Sequence, residues 1–167
     1  WTATFSPLAG GTVVSGSHTD KLRIYFVALW KFLRIVMAQR VCLVHAHTAS
    51  RASFWRKSTF MLIARAANIP VILHLHGGAF EEFYRRECGP LRQRYIRFIL
   101  RGVDRVVVLS SQWRARIASI EPKARTTTIV NPVNVPSIVP TIAERAQADL
   151  LFLGRFGQQK GIFDLLE

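Results

Sequence analysis

Four of the five histidines in this 167-residue chain fall in two alternating pairs, His45 with His47 and His74 with His76. A spacing of two sets both imidazoles of a pair on one side of a strand, where they can act on a common ligand. His76 runs directly into Gly77 and Gly78, which leave the backbone open to close approach by a ligand or loop. His76 therefore reads as a hydrogen-bond donor or general base facing a substrate, rather than a loop histidine bonded to backbone. For His74 the plainer reading, an imidazole bonded to backbone, is the expectation. Neighbouring parallel strands could also gather all four rings around a metal ion. No carboxylate or cysteine lies beside them at ligand spacing, so the expectation is no metal and no cofactor.

A second constellation lies near the end of the chain, in Leu153-Gly-Arg-Phe-Gly-Gln-Gln-Lys-Gly161. It reads as a strand end, a turn and a helix start. Helix N-termini favour anions, and Arg155 with Lys160 beside Gly154 would grip a diphosphate from two sides. The order Gly-Lys-Ser/Thr of a Walker loop is absent. A plain exposed turn with two surface cations is the competing reading, and spacing alone does not decide between them.

A net charge of +13, from 23 basic and 10 acidic residues, draws anions of any kind: nucleic acid, lipid headgroups or phosphorylated small molecules. At 50% hydrophobic residues the chain can bury an ordinary core and is not of disordered composition. The most apolar stretch, Leu22 to Ala46, is broken by Arg23, Lys31, Arg34 and Arg40, which excludes a membrane-spanning helix there. Cys42, in an apolar run, reads as a small core residue, so two cysteines make no disulfide framework.

The elements that must hold these groups alternate. Helical periodicity runs from Asp20 to about Gln39, giving a largely buried helix with a narrow basic stripe. Val41 to His45 reads as a buried strand, with His45 to Thr48 as the loop at its carboxyl end. A helix from Ser53 to Ala67 stops at Asn68 and Pro70, and Val71 to Leu75 is the next strand. Helical stretches follow at Phe80 to Glu87 and Pro90 to Arg101. Arg105 to Leu109 is a third strand, Ser111 to Ile120 a serine-capped helix, and Thr127 to Val130 a fourth strand. Apolar strands alternating with helices give an α/β fold, a doubly wound parallel sheet covered on two faces. In such sheets ligands bind beyond the carboxyl ends of the strands, where His47, His76, Gly77, Gly78, Asn131, Gly154 and Arg155 would cluster. Residues 1–136 are expected to be one domain, truncated at its start, and 137–148 a proline-containing linker. Residues 149–167 then begin a second domain, cut short at Glu167.

In order and spacing, His74-Leu-His-Gly-Gly-Ala-Phe80, Phe83-Tyr84, Val108-Leu-Ser-Ser-Gln-Trp113, Val130-Asn-Pro-Val133 and Gly154-Arg-Phe-Gly-Gln-Gln-Lys-Gly161 resemble the glycosyltransferase family 4 enzymes. The resemblance is closest to bacterial members that build exopolysaccharide and other surface glycans, and it covers roughly His45 to Glu167. It implies a GT-B arrangement of two facing Rossmann-like domains, the first binding acceptor and the second a nucleotide-sugar. It also implies retaining transfer of a hexosyl group to a glycan or lipid-linked acceptor. On that likeness His76 faces the transferred sugar, Gly77 and Gly78 form the turn beside it, and His47 and Asn131 lie near by. Arg155, Lys160 and Gly154 would hold the donor diphosphate, and positioning and charge stabilisation, rather than a metal, would lower the barrier. Two departures stand out. Asn131-Pro-Val-Asn134 replaces the more usual Asn-Gly-Val-Asp, and the family's pair of glutamates across the donor site would lie beyond Glu167. The chain on its own is thus expected to be inactive.

Two other classes compete. A basic nucleic-acid-binding α/β domain fits the charge, but the cations are spread over several elements and no binding motif is present, so no nucleic-acid partner is expected. A metal-dependent hydrolase would use the His-x-His pairs. On the helix from Pro90, Arg94, Arg97 and Arg101 share one face and Leu91, Tyr95 and Phe98 another. That reads either as a solvated charged face or as contact with an anionic bilayer. The expected location is cytoplasmic, with the inner face of the plasma membrane as a peripheral docking place.

Overall fold

In the computed structural model the described residues are 18–76 and 78–132, and the chain divides into two compact units, Trp1–Asn131 and Pro132–Glu167. Nearly all of the described residues belong to the first unit. Gly77, Gly154, Arg155 and Lys160, together with the expected linker and second-domain strand, lie outside them.

The first unit runs α1 (His18–Met37), β1 (Val44–Thr48), α2 (Ala52–Ala66), β2 (Val71–Leu75), α3 (Phe80–Glu82), a π-helical turn (Phe83–Glu87), α4 (Pro90–Gly102), β3 (Arg105–Val108), α5 (Ser111–Ile120) and β4 (Thr126–Thr128). The four strands are all parallel and stand in the order β1-β2-β3-β4. This is a Rossmann-like α/β domain, as the alternating pattern predicts.

Local chemistry explains most of the boundaries. Asn68 takes a left-handed backbone, φ 56°, and ends the chain's run out of α2. Pro70 cannot donate to a ladder, so β2 starts at Val71. Pro70 still offers its carbonyl, which accepts from the Val44 amide at 2.9 Å. That bond places the start of β1 at Val44, three residues later than apolar composition suggests. Pairing, not hydrophobicity, sets the range of this strand. Its burial alternates, so it is a half-exposed strand rather than one buried on both faces. As a consequence His45 and His47 stand inside β1 and not in a loop, and Cys42 precedes the strand and is exposed. Pro90 opens α4 at its first turn, and the Ser110 hydroxyl caps α5 by accepting from the Trp113 amide at 3.2 Å.

Among the described residues the core lies on one face of the sheet. Val71, Leu73, Leu75, Val106 and Val108 pack with Phe54, Met61, Ala64, Ile96, Ile99, Leu100 and Ile117 from the helices. An aromatic group of Phe54, Phe80, Phe83 and Trp55, in mostly edge-to-face contact at 5.5–6.4 Å, ties α2 to the segment after β2. Successive parallel strands joined by right-handed crossovers carry their helices on the same side, which accounts for the one-sided core. The other face bears His45, His47, Ile72, His74, Arg105, Val107 and Thr127; of these His74 and Val107 are buried, and none joins the main core cluster. Helix α1 packs on α2 through Tyr25 and Phe32 against Phe60. It is not largely buried: Leu22, Phe26, Val27, Trp30 and Met37 are all exposed, and the covered positions are Ala28, Phe32 and Val36.

Candidate active site

Four imidazoles meet on one face of β1 and β2, with His47, His74 and His76 towards the carboxyl ends. The parallel register sets His47 directly across from His74, and His45 one step earlier on the same face. The His76 amide donates to the Thr48 carbonyl at 2.8 Å, which prolongs the ladder one residue past β2 and carries the His76 ring to the same side. Ring centroids are 4.0 Å apart for His74 and His76, 4.2 Å for His45 and His47, and 4.8 Å for His47 and His74.

The rings differ in environment. His45, His47 and His76 are exposed, whereas His74 is 9% exposed, and among the described residues neither of its nitrogens has a hydrogen-bond partner. The expectation of a backbone-bonded imidazole therefore fails at His74. Burial, reinforced by the surrounding imidazoles, lowers the His74 pKa to about 4. Burial also lowers His45 and His47, with the neighbouring histidines adding to the effect and Lys57 contributing at His47.

His47 Nδ1 and His76 Nε2 are 2.7 Å apart. The tautomer decides which of the two donates, and with it the role of the remaining His76 nitrogen. If His47 donates, His76 offers an Nδ1–H to a ligand; if His76 donates, its Nδ1 is a base. Either state suits an oxygen-rich ligand such as a sugar hydroxyl.

Lys57, on the second turn of α2, donates to the His47 carbonyl. Burial, with Arg56 adding repulsion, lowers its pKa. None of the sequence motifs includes it. The available signal was its spacing of four from Ser53, whose hydroxyl lies 3.2 Å from that of Thr48. Arg51, just before α2, holds a backbone conformation unfavourable for a residue with a side chain (φ 58°) and binds Glu87 through both carboxylate oxygens.

Gly78 follows in the turn after β2. A side chain added there meets nothing within 4 Å, so the fold itself does not require glycine at this point. Asn131 is exposed beyond β4, two strands from β2 and hence about 10 Å across the sheet. The structure brings His47 and His76 into contact, with Gly78 two residues further along the chain, while Asn131 follows β4 on the far side of the sheet.

On α4, Leu91 and Phe98 are exposed and Arg97 pairs with the buried Glu121 at 3.2 Å. Tyr84, Leu91, Arg94, Phe98 and Arg101 line an open groove there, and none of the four histidines contributes to it. No helix among the described residues is long and apolar enough to cross a membrane.

In parallel α/β domains ligands bind in the crevice beyond the carboxyl ends of the strands, where His47 and His76 meet. The chain belongs to the glycosyl transferase 4-like domain family, whose model matches residues 9–132. No curated protein and no solved structure shows a significant match to it. Family membership ties the chain to glycosyl transfer, and so to a sugar donor and an acceptor.

Proposed function

We propose that this chain supplies the acceptor-side domain of a retaining glycosyltransferase, moving a hexosyl group from a nucleotide-sugar to a glycan or lipid-linked acceptor of surface polysaccharide. The observation that carries the reading is the His47–His76 pair at the carboxyl end of adjacent parallel strands, with open space in front of Gly78. His76 faces the sugar and Gly78 leaves room for it; His47 sets the tautomer of His76. Gly77 and Asn131 complete the acceptor side. Arg155 and Lys160, with Gly154, neutralise the departing nucleotide diphosphate, and no metal ion is needed for that task. The exposed apolar and basic residues of α4 support peripheral contact with anionic lipid at the cytoplasmic face of the membrane.

Sugar transfer by a protein that contains this chain together with a complete donor domain tests the reading. His76→Ala should lower kcat by roughly 10²–10⁴ with little change in donor KM, the scale of a lost acid–base or electrostatic contact. Gly78→Val should lower activity and leave thermal stability unchanged. An unaltered kcat for His76→Ala would overturn it.

A further inference from the structure

We propose that His45, His47 and His74 form a binding site for one divalent transition-metal ion of the zinc type, on the sheet face opposite the core. The inference rests on the geometry of β1 and β2 and is independent of the transferase reading. It goes against the sequence expectation that these imidazoles hold no metal.

Each of the three residues offers one ring nitrogen, and the three nitrogens lie within 4.8 Å of one another. Tetrahedral coordination at about 2.0–2.1 Å per bond needs nitrogens roughly 3.4 Å apart. Closing the set takes small side-chain rotations of His45 and His47, both of which are exposed. The third member, His74, is fixed by the sheet.

His74 gives a separate reason to expect a ligand. It is 9% exposed, and both of its nitrogens are buried without a partner among the described residues. Buried polar atoms in native proteins are paired in the large majority of cases. An ion bound by His45 and His47 would occupy the lone pair of His74, and none of the described residues does so.

The chemistry of the donors narrows the ion. Three imidazoles and no carboxylate suit zinc, copper, nickel or cobalt, and they do not suit magnesium or calcium, which require oxygen. The outer contact is also in place. A metal-bound imidazole gives its other N–H to an acceptor that fixes its orientation, and His76 Nε2 stands 2.7 Å from His47 Nδ1. Exposure of His45 and His47 leaves a fourth position open to water, the arrangement of a site that exchanges its ion or binds a further ligand. A bound ion would fix the proton of His47 on Nδ1, and with it the donor role of His76 Nδ1.

Titration of the tag-free, chelator-stripped 167-residue chain with zinc against a chromophoric competitor tests this, with cobalt as a spectroscopic probe and magnesium as control. One equivalent of zinc should bind, and cobalt should give the visible absorption of a four- or five-coordinate nitrogen site. His45→Ala, at an exposed position, should abolish both while the circular dichroism spectrum is unchanged. His76→Ala should weaken zinc by about 10–100-fold, the usual effect of losing an outer partner. Less than one equivalent bound by the unaltered chain, or a titration unchanged by His45→Ala, would overturn the site.

Discussion

Replacing His74 with leucine in the metal-free protein is expected to stabilise it, by an amount that grows as the pH falls. Two buried imidazole nitrogens without partners cost about 1–3 kcal/mol, and an apolar side chain of similar size removes that cost. The ring contacts with His45, His47 and His76 are lost in exchange. Those contacts are worth about 0.5 to about 1.5 kcal/mol, which leaves a gain of roughly 1 kcal/mol at pH 8. Acid adds to it. The His74 pKa is lowered from 6.5 to about 4 in the folded protein, so below pH 6.5 the unfolded chain takes up a proton that the native state refuses. The native protein therefore loses stability as pH falls from 6.5 towards 4, at up to about 1.4 kcal/mol per pH unit. By pH 5 the leucine variant should lead by roughly 3 kcal/mol. Urea unfolding of both proteins at pH 8, 6.5 and 5, with chelator present, measures the difference directly. A gap that stays constant with pH, or a variant less stable by more than about 1 kcal/mol at pH 8, would refute the account of His74 as a buried, neutral, unbonded imidazole.

Two further outcomes test the frame around the site. The Asp104 carboxylate accepts from the Val71 amide at 2.9 Å, and the Asp104 amide donates to the Val71 carbonyl, joining the starts of β2 and β3. Asp104→Ala should cost about 1–2 kcal/mol in denaturant unfolding and Asp104→Asn less, because only the first removes the acceptor. The two cysteines should separate cleanly in thiol labelling at pH 8. Cys42 is exposed and should react at once; Cys88 is covered and burial raises its pKa, so it should react only when denaturant is added. Two equally fast equivalents would show that the π-helical turn and the start of α4 do not shield Cys88.

The sequence by itself determined the kind of fold. Proline and asparagine at 68–70, proline at 90 and the serine cap at 110 act through backbone geometry that is local to each residue, and β2, α4 and α5 begin where those signals place them. The alternation of strand and helix sufficed for a parallel α/β sheet, and the motif run from His74 onwards for the family. The pairing of His47 with His76 followed in part from the two-residue spacings, which fix the face each ring shares with its strand neighbour.

Tertiary structure decided the rest, because it depends on which strand lies beside which and in what register. Composition placed the first strand at Val41, and only the Val44–Pro70 bond moved it to Val44–Thr48 and turned His45 and His47 from loop residues into strand residues. The alternation from Val44 to Thr48 was the signal for this, outweighed by the stronger apolar run before it. The one-sided core, the exposed apolar face of α1, and Lys57 beneath His47 likewise arise from contacts between segments far apart in the chain. So does the unbonded state of His74. A sequence shows that an imidazole is present, but whether its nitrogens find partners is settled by the three other rings packed around it.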